Sequence, residues 1–308
     1  MRNKFAEVIY KTGIKNNRIC ALVADISPAG AMIKFRERFP KRFINCGVAE
    51  QAMIGIAAGM ALRGMRPFCY TIATFTLYRP FEMVRVDLCY QNLPVTIVGM
   101  GTGTVYSTLG GTHLTQEDIS VARSIPNMNI IAPCDPNELE EAVKYCCTKS
   151  KSPVYLRIGK AGEKNFTNKL SEKWQFGKIR KIQSGKKLCI LTFGPIVEKA
   201  FEIKKQLNKK KISPEIYSCH TLKPFDYAGL KKIFKKFKTI VIIEDHSKIG
   251  GLNNIVKSSA YENKYSGEII SYSLKDEFIH CYGTHDDLLA KHGISSKKIY
   301  KDIIKSIK

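Results

Sequence analysis

A chain of 308 residues with 44% apolar and 25% charged side chains is long enough for two globular domains, each with its own core. Its net charge of +23 is the composition of a polyanion binder. After Lys160, however, Arg180 is the only arginine, and the excess is lysine spread over many helical patterns, which reads as a solvated coat and argues against nucleic-acid binding.

In chain order, residues 5–10 have helical periodicity and lead to a strand at 19–24, which ends at Asp25. A short strand at 43–46 feeds a helix opened by Glu50, and the next strand is 67–72. A helix is predicted over 76–91, then a strand at 95–98, a strand at 128–132, a helix over 137–148 and a strand at 154–157. Strands separated by helices imply a parallel sheet covered on both faces, with ligands beyond the carboxyl ends of the strands. Asp25, residues 46–50, Thr74, the loop 101–113 and Arg157 fall on that shared edge.

A polar, lysine-rich passage with the single tryptophan, Trp174, then breaks the pattern. It sets predicted domains at 1–160 and 188–308, joined by a linker at 161–187. Beyond it, strands at 188–193, 214–217, 239–243 and 268–272 alternate with helices starting near Ile196, Asp226, Leu252 and Ser296. The predicted fold class is α/β, two consecutive open, mostly parallel sheets with helices on both faces. The ten cysteines form no C-x-x-C pair, and none of the six histidines has ligand spacing to one, so no metal site or disulfide framework is expected. No apolar run is long enough to span a bilayer and no leader pattern opens the chain, so a cytoplasmic location is expected.

Three stretches carry candidate chemistry. Glu50 opens a run of small and apolar residues that holds no other charge until Arg63. Burial raises a carboxylate's pKa and suits it to acid or base work near neutral pH; a helix-start glutamate favoured by the helix dipole accounts for the same residues. Phe75, Tyr78 and Phe81 are spaced three apart, on one face of a helical turn that serves either as a wall for a flat ring or as core. His113, in Gly110-Gly111-Thr112-His113, lies on a loop just before a helix, where a histidine is either solvated or functional. Gly99-Met100-Gly101-Thr102-Gly103 follows a strand as a dinucleotide loop does, but no helix start and no acidic ribose partner follow. It reads instead as a loop whose backbone approaches a ligand closely.

Taken in this order, and with residues 119–135, these stretches resemble the pyrimidine-binding domain of the transketolase family of thiamine-diphosphate enzymes. The second half, with Glu244-Asp245-His246 followed by Gly250-Gly251-Leu252, resembles the C-terminal domain of that family, which mainly supports assembly. His246 is accordingly read as satisfied by its neighbours and not as catalytic. The resemblance implies that Glu50 hydrogen-bonds N1′ of the aminopyrimidine and promotes the imino tautomer, whose nitrogen takes the C2 proton of the thiazolium ring. The resulting carbanion attacks a ketose carbonyl. It also implies that Phe75, Tyr78 and Phe81 enclose the aminopyrimidine and that Asp25 lies close to the cofactor. Arg2, His113 and Arg157 are placed in the substrate channel, with Glu50 and His113 as the catalytic pair. Ordinary transketolases carry an acidic residue where this chain has Leu109, a histidine near Gly101 and a phosphate-holding serine at Ala29, although Ser27 is close by. The implied substrate is therefore an atypical sugar or sugar derivative.

The Gly-Asp-Gly motif that holds Mg2+ and the diphosphate in this family is absent from the sequence. The chain thus resembles the C-terminal half of a split transketolase, which moves a two-carbon ketol unit between sugars or sugar phosphates. Thiamine diphosphate is the implied cofactor, with Mg2+ held by a partner subunit that carries the diphosphate-binding domain. The implied assembly is a heterotetramer, or a homodimer of this chain. The alternatives are half of a deoxyxylulose-phosphate synthase, the beta chain of a 2-oxo acid dehydrogenase, and a non-catalytic scaffold that binds polyanions. The His113 loop with Glu117-Asp118 argues against the oxo-acid branch, and Glu50 with its aromatic wall argues against the scaffold.

Overall fold

The computed structural model describes residues 1–26, 31–168 and 172–307, so Ser27 and Ala29 lie outside the described residues. The first half supplies strands β1 (Ile19–Val23), β2 (Phe43–Asn45), β3 (Arg66–Ile72), β4 (Thr96–Met100), β5 (Asn129–Ile131) and β6 (Val154–Ile158). β1, β4 and β6 are buried along their whole length, as expected of strands covered on both faces. The covering helices are α1 (Arg2–Lys15), α2 (Ala31–Arg38), α3 (Glu50–Leu62), α4 (Ala73–Leu77), α5 (Phe81–Met83), α6 (Asp118–Ser124) and α7 (Pro136–Thr148).

The second half supplies β7 (Arg180–Gln183), β8 (Cys189–Thr192), β9 (Glu215–Ser218), β10 (Thr221–Lys223), β11 (Thr239–Ser247) and β12 (Glu268–Leu274). Its helices are α8 (Val197–Asn208), α9 (Tyr227–Lys236), α10 (Leu252–Glu262), α11 (His285–Lys291) and α12 (Ser296–Ser306). The strands form a seven-stranded sheet of order β10-β5-β6-β4-β3-β1-β2 and a five-stranded sheet of order β12-β11-β8-β9-β7. Both are mostly parallel; among the described residues only the edge strands β10 and β7 run antiparallel to their neighbours.

Two features depart from the sequence pattern. The helix predicted over 76–91 is broken, because Pro80 has no N–H to continue the ladder after α4; α5 and a π-helical stretch, Val84–Tyr90, take its place. β7 lies inside the stretch read as a linker, and β10 crosses from the second half to the edge of the first sheet.

Side-chain alternation distributes the core. In β1, Cys20 and Leu22 enter one cluster while Ile19, Ala21 and Val23 enter a second on the opposite face. In β8, Cys189 and Leu191 enter that same first cluster, whereas Ile190 enters a third. One continuous apolar core therefore draws on both sheets and fixes the second domain against the first.

Candidate active site

Glu50 is the first residue of α3, and its N-cap, Ala49, offers no side-chain bond to the helix. The carboxylate is only 2% exposed, and Arg79 Nη1 donates to its Oε2 at 2.8 Å. Arg79 in turn lies over the ring of Phe75, 4.8 Å from its centroid, a cation–π arrangement that orients the guanidinium. Phe75 meets His113 edge-on at 5.3 Å between ring centroids, and Tyr106 also meets that imidazole edge-on, at 5.8 Å. Burial draws the His113 pKa below its ordinary value, so the ring is neutral at neutral pH.

A cavity of about 300 Å³ opens beside Phe75 and Arg79, lined also by Thr74, Tyr78, Thr112 and Phe278 among others; Glu50 and His113 are not among its lining residues. The Thr74 hydroxyl is buried without a partner. Burial, and then the charges of Asp118 and Glu117, push the Tyr78 phenol up, so it stays protonated and available as a donor. Two of the three predicted wall residues, Phe75 and Tyr78, share this cavity. Phe81 does not line it: it follows Pro80 on α5 and is partly buried against the core.

The loop after β4 is held at its neck. Gly101 N–H and Thr102 N–H both donate to Ile158 O, at 3.0 and 3.3 Å, and Thr115 N–H donates to Gly103 O at 3.0 Å. Gly101 has φ +73°, and a Cβ there would sit 2.0 Å from the Tyr106 ring. The aromatic ring thus occupies the space a larger residue at 101 would need, and Leu109 stands half exposed further along the loop.

Of the two arginines predicted for the substrate channel, one is elsewhere. Arg157 is 2% exposed; its Nε donates to Asp118 Oδ2 at 2.9 Å and its Nη2 to Asp245 O at 2.8 Å. Tyr155 donates to the same carboxylate oxygen at 2.8 Å. The alternation of β6 sends Tyr155 and Arg157 to one face, and the second domain closes over it, so this guanidinium is engaged in an interdomain seam. Two other cations, Arg2 and Lys160, sit by Tyr106, and Lys160 lines a separate cavity with Val105, Glu163 and His285. The Arg2 amide donates to Lys160 O at 3.3 Å, Lys160 is exposed with its Nζ 4.8 Å over the Tyr106 ring, and the charge of Arg2 opposes the burial that raises the Tyr106 pKa. Lys160 was missed, although a lysine two residues past a strand end on the ligand-binding edge was a readable signal.

Asp25 is exposed and strained, with φ +47°. Its amide donates to Asn45 Oδ1 at 3.0 Å, and the same oxygen accepts the Gly47 amide at 3.0 Å. Asn45, not singled out from the sequence, thereby ties the end of β1 to the turn that presents Glu50. Among the described residues no group of three or more His, Cys, Asp or Glu is placed to hold a metal ion, and no helix is long and apolar enough to cross a membrane.

Residues 1–162 match the family model described as "Transketolase, pyrimidine binding domain", and residues 177–299 match "Transketolase, C-terminal domain". The chain is 30% identical over 307 residues to one of the subunits of the apulose-4-phosphate transketolase of Phocaeicola vulgatus, covering 100% of this chain and 97% of the relative. It is 32% identical over 301 residues to the "1-deoxy-D-xylulose-5-phosphate synthase" of Clostridium tetani, covering 98% of this chain but 48% of that protein. A solved structure described as "Split gene transketolase, inactive beta4 tetramer" superposes with a TM-score of 0.87 at 29% identity, covering 99% of this chain and 97% of the other.

Proposed function

The chain belongs to the transketolase family, and we propose on that footing that it is the half of a split transketolase that bears the pyrimidine-binding and C-terminal domains. Its reaction is the transfer of a two-carbon ketol unit between sugars or sugar phosphates, in an assembly with a second kind of chain. In this reading residues 1–160 and 188–308 are the two domains, and the connecting stretch contributes the edge strand β7.

The observation that carries the proposal is the buried Glu50 carboxylate on the row formed by Arg79, Phe75 and His113. A flat heterocycle with a ring nitrogen fits that setting: Phe75 and Tyr78 supply a wall, and the orphaned Thr74 hydroxyl supplies a polar contact. Members of this family depend on thiamine diphosphate, which when bound supplies the nucleophilic carbon and the electron sink for cleavage beside a ketose carbonyl. Glu50 hydrogen-bonds the ring nitrogen, and Arg79 fixes the orientation of that carboxylate. His113, neutral, offers a hydrogen bond to a sugar hydroxyl, while Arg2 and Lys160 attract an anionic end of the substrate. Asp25 stands at the end of the adjacent strand, on the cofactor side.

The diphosphate and its Mg2+ are assigned to the partner subunit, since this chain has no Gly-Asp-Gly motif and its described residues hold no acidic cluster for the metal. The outward face of α3 supports an assembled state: Gln51, Ala52, Gly55, Ile56, Gly59 and Leu62 are exposed, yet none carries a charge. A cytoplasmic location is part of the same reading, and the ten free cysteines, most of them buried, suit a reducing compartment.

The test is co-expression with a chain carrying a Gly-Asp-Gly domain, followed by a ketol-transfer assay with thiamine diphosphate and Mg2+. Turnover is expected only from the pair, and Glu50→Gln is expected to leave assembly intact while lowering turnover about 100-fold or more. Full turnover by this chain alone, or a Gln variant as fast as the parent, overturns the proposal. The likeness to half of a deoxyxylulose-phosphate synthase sustains one second reading, which release of carbon dioxide from pyruvate by the assembled pair would favour.

A further inference from the structure

The Glu244-Asp245-His246 run at the end of β11 is buried and lies across the seam from the site. Its three side chains grip four different elements. Glu244 accepts the Leu252 amide at 2.6 Å, at the start of α10, and the Ser273 hydroxyl at 2.7 Å on β12. His246 Nε2 accepts the Ser120 amide at 3.4 Å on α6, and its Nδ1 faces Ser247 O at 2.9 Å. Asp245 does something different, because it reaches the loop that carries His113.

Asp245 Oδ2 accepts the Thr104 amide at 3.1 Å, and its Oδ1 accepts the Thr104 hydroxyl at 3.3 Å. The same hydroxyl lies 2.9 Å from His285 Nδ1 on α11. Asp245 is only 5% exposed, so these bonds are made away from water, where losing one leaves a buried group unpaired. The approach is close enough to dictate sequence: a Cβ on Gly103, which has φ +68°, would lie 1.9 Å from Asp245 Oδ2. The Gly103–Thr115 bridge closes the loop at this point, so the carboxylate acts at the neck of a compact loop whose far limb holds Tyr106 and His113. The register of β11 against β12 shifts between Ile243 and Ser247, the kind of irregularity that re-aims a side chain.

We infer that Asp245 is a positioning residue: from the C-terminal domain, it sets the place of the His113 loop through Thr104 and thereby tunes sugar binding. The catalytic part of this inference rests on the function proposed above; the positional part does not. The experiment uses the assembled two-chain complex with Asp245→Ala, Asp245→Asn, Thr104→Val and the Asp245→Ala/Thr104→Val double variant. Amide hydrogen exchange is followed over residues 101–115, and steady-state kinetics are run in parallel.

Asp245→Ala is expected to speed exchange in that loop about tenfold or more while the sheets keep their protection. It is also expected to raise KM for the sugar about tenfold with thiamine diphosphate affinity unchanged. Asp245→Asn, which keeps an acceptor for the Thr104 amide, restores most of both. Thr104→Val gives a smaller effect in the same direction, and the double variant is no worse than Asp245→Ala, as expected of residues acting in one contact. A merely destabilised protein would instead lose kcat at constant KM and exchange faster everywhere. That pattern, or loop exchange equal to the parent's in both Asp245→Ala and Thr104→Val, overturns the inference. If the parent pair shows no ketol transfer, the functional reading fails while the exchange data still decide the positional one.

Discussion

Gly101 sets where His113 stands. Its left-handed backbone and missing Cβ let the Tyr106 ring lie flat against the start of the loop, and Tyr106 then packs edge-on against the imidazole while its hydroxyl donates to Met100 Sδ at 3.1 Å. Alanine at 101 must both adopt a positive φ and displace an 8%-exposed aromatic ring. Gly101→Ala is therefore expected to cost about 2–4 kcal/mol, read as a lower urea midpoint, and to raise KM for the sugar because His113 loses its backing. Gly111→Ala, whose Cβ would meet nothing within 4 Å, is the control for stability and is expected to leave the urea midpoint near the parent's. Equal stability for the two variants would show that the Tyr106 ring is not locked. At this scale placement was legible where a residue type is rare in its setting: the carboxylate on an uncharged helix is buried, and His113 stands on the loop before α6. It misled at Arg157, because a strand-end arginine reads the same whether its face is open or covered by a second domain. Asn45 and Tyr106 were illegible for another reason: their roles are contacts with residues far away in the chain or hidden in a turn.

Strand β11 carries two buried titratable groups that respond to acid in opposite senses. Burial pushes the Glu244 carboxyl up to about 7, against the pull of Ser273, Leu252, Asn253 and Arg157. Burial brings the His246 imidazole down to about 4, with Asp118 opposing and Arg157 reinforcing that shift. Glu244 contributes stability that is full below its ordinary value of 4.5 and is lost as pH rises through 7. His246 contributes stability that is full above its ordinary value of 6.5 and is lost as pH falls through 4. Between pH 4.5 and 6.5 the two slopes cancel. Glu244→Gln removes one of them, so relative to the parent the variant is expected to lose on the order of 1 kcal/mol per pH unit on acidification through that window. Urea midpoints at three pH values check this, and parallel curves for parent and variant would refute it. The elements themselves were legible where apolar runs are long, as in β3 and β11. They were not where pairing is set by a distant partner: β7 and β10 are short edge strands, and Arg180, Lys181 and Lys223 give them no apolar run to read. The break at Pro80 was written in the sequence but outweighed by the aromatic spacing around it.

At the scale of the molecule, the two sheets are not independent bodies. A single cluster takes Cys20, Leu22 and Ile97 from the first and Cys189, Leu191 and Ile242 from the second, and β10 passes from one half to the edge of the other's sheet. Arg157 and Asp118 add a buried ion pair along the same seam, with Asp245 O as a third member. Separation would expose that apolar surface at about 25 cal/mol per Å2 and leave the paired charges unsatisfied. An apolar strand looks alike in sequence whether a helix or another domain covers it, which is why the chain read as two units on a linker. The consequence for function is that the second domain cannot swing freely, so whatever it holds, the Thr104 neck included, is held rigidly. Thermal unfolding is therefore expected as one cooperative transition, with calorimetric and van't Hoff enthalpies equal within error, not as two domain transitions. Two resolved transitions, or an Asp118→Asn variant that splits a single one without lowering the first midpoint, would show that the shared core does not couple the halves.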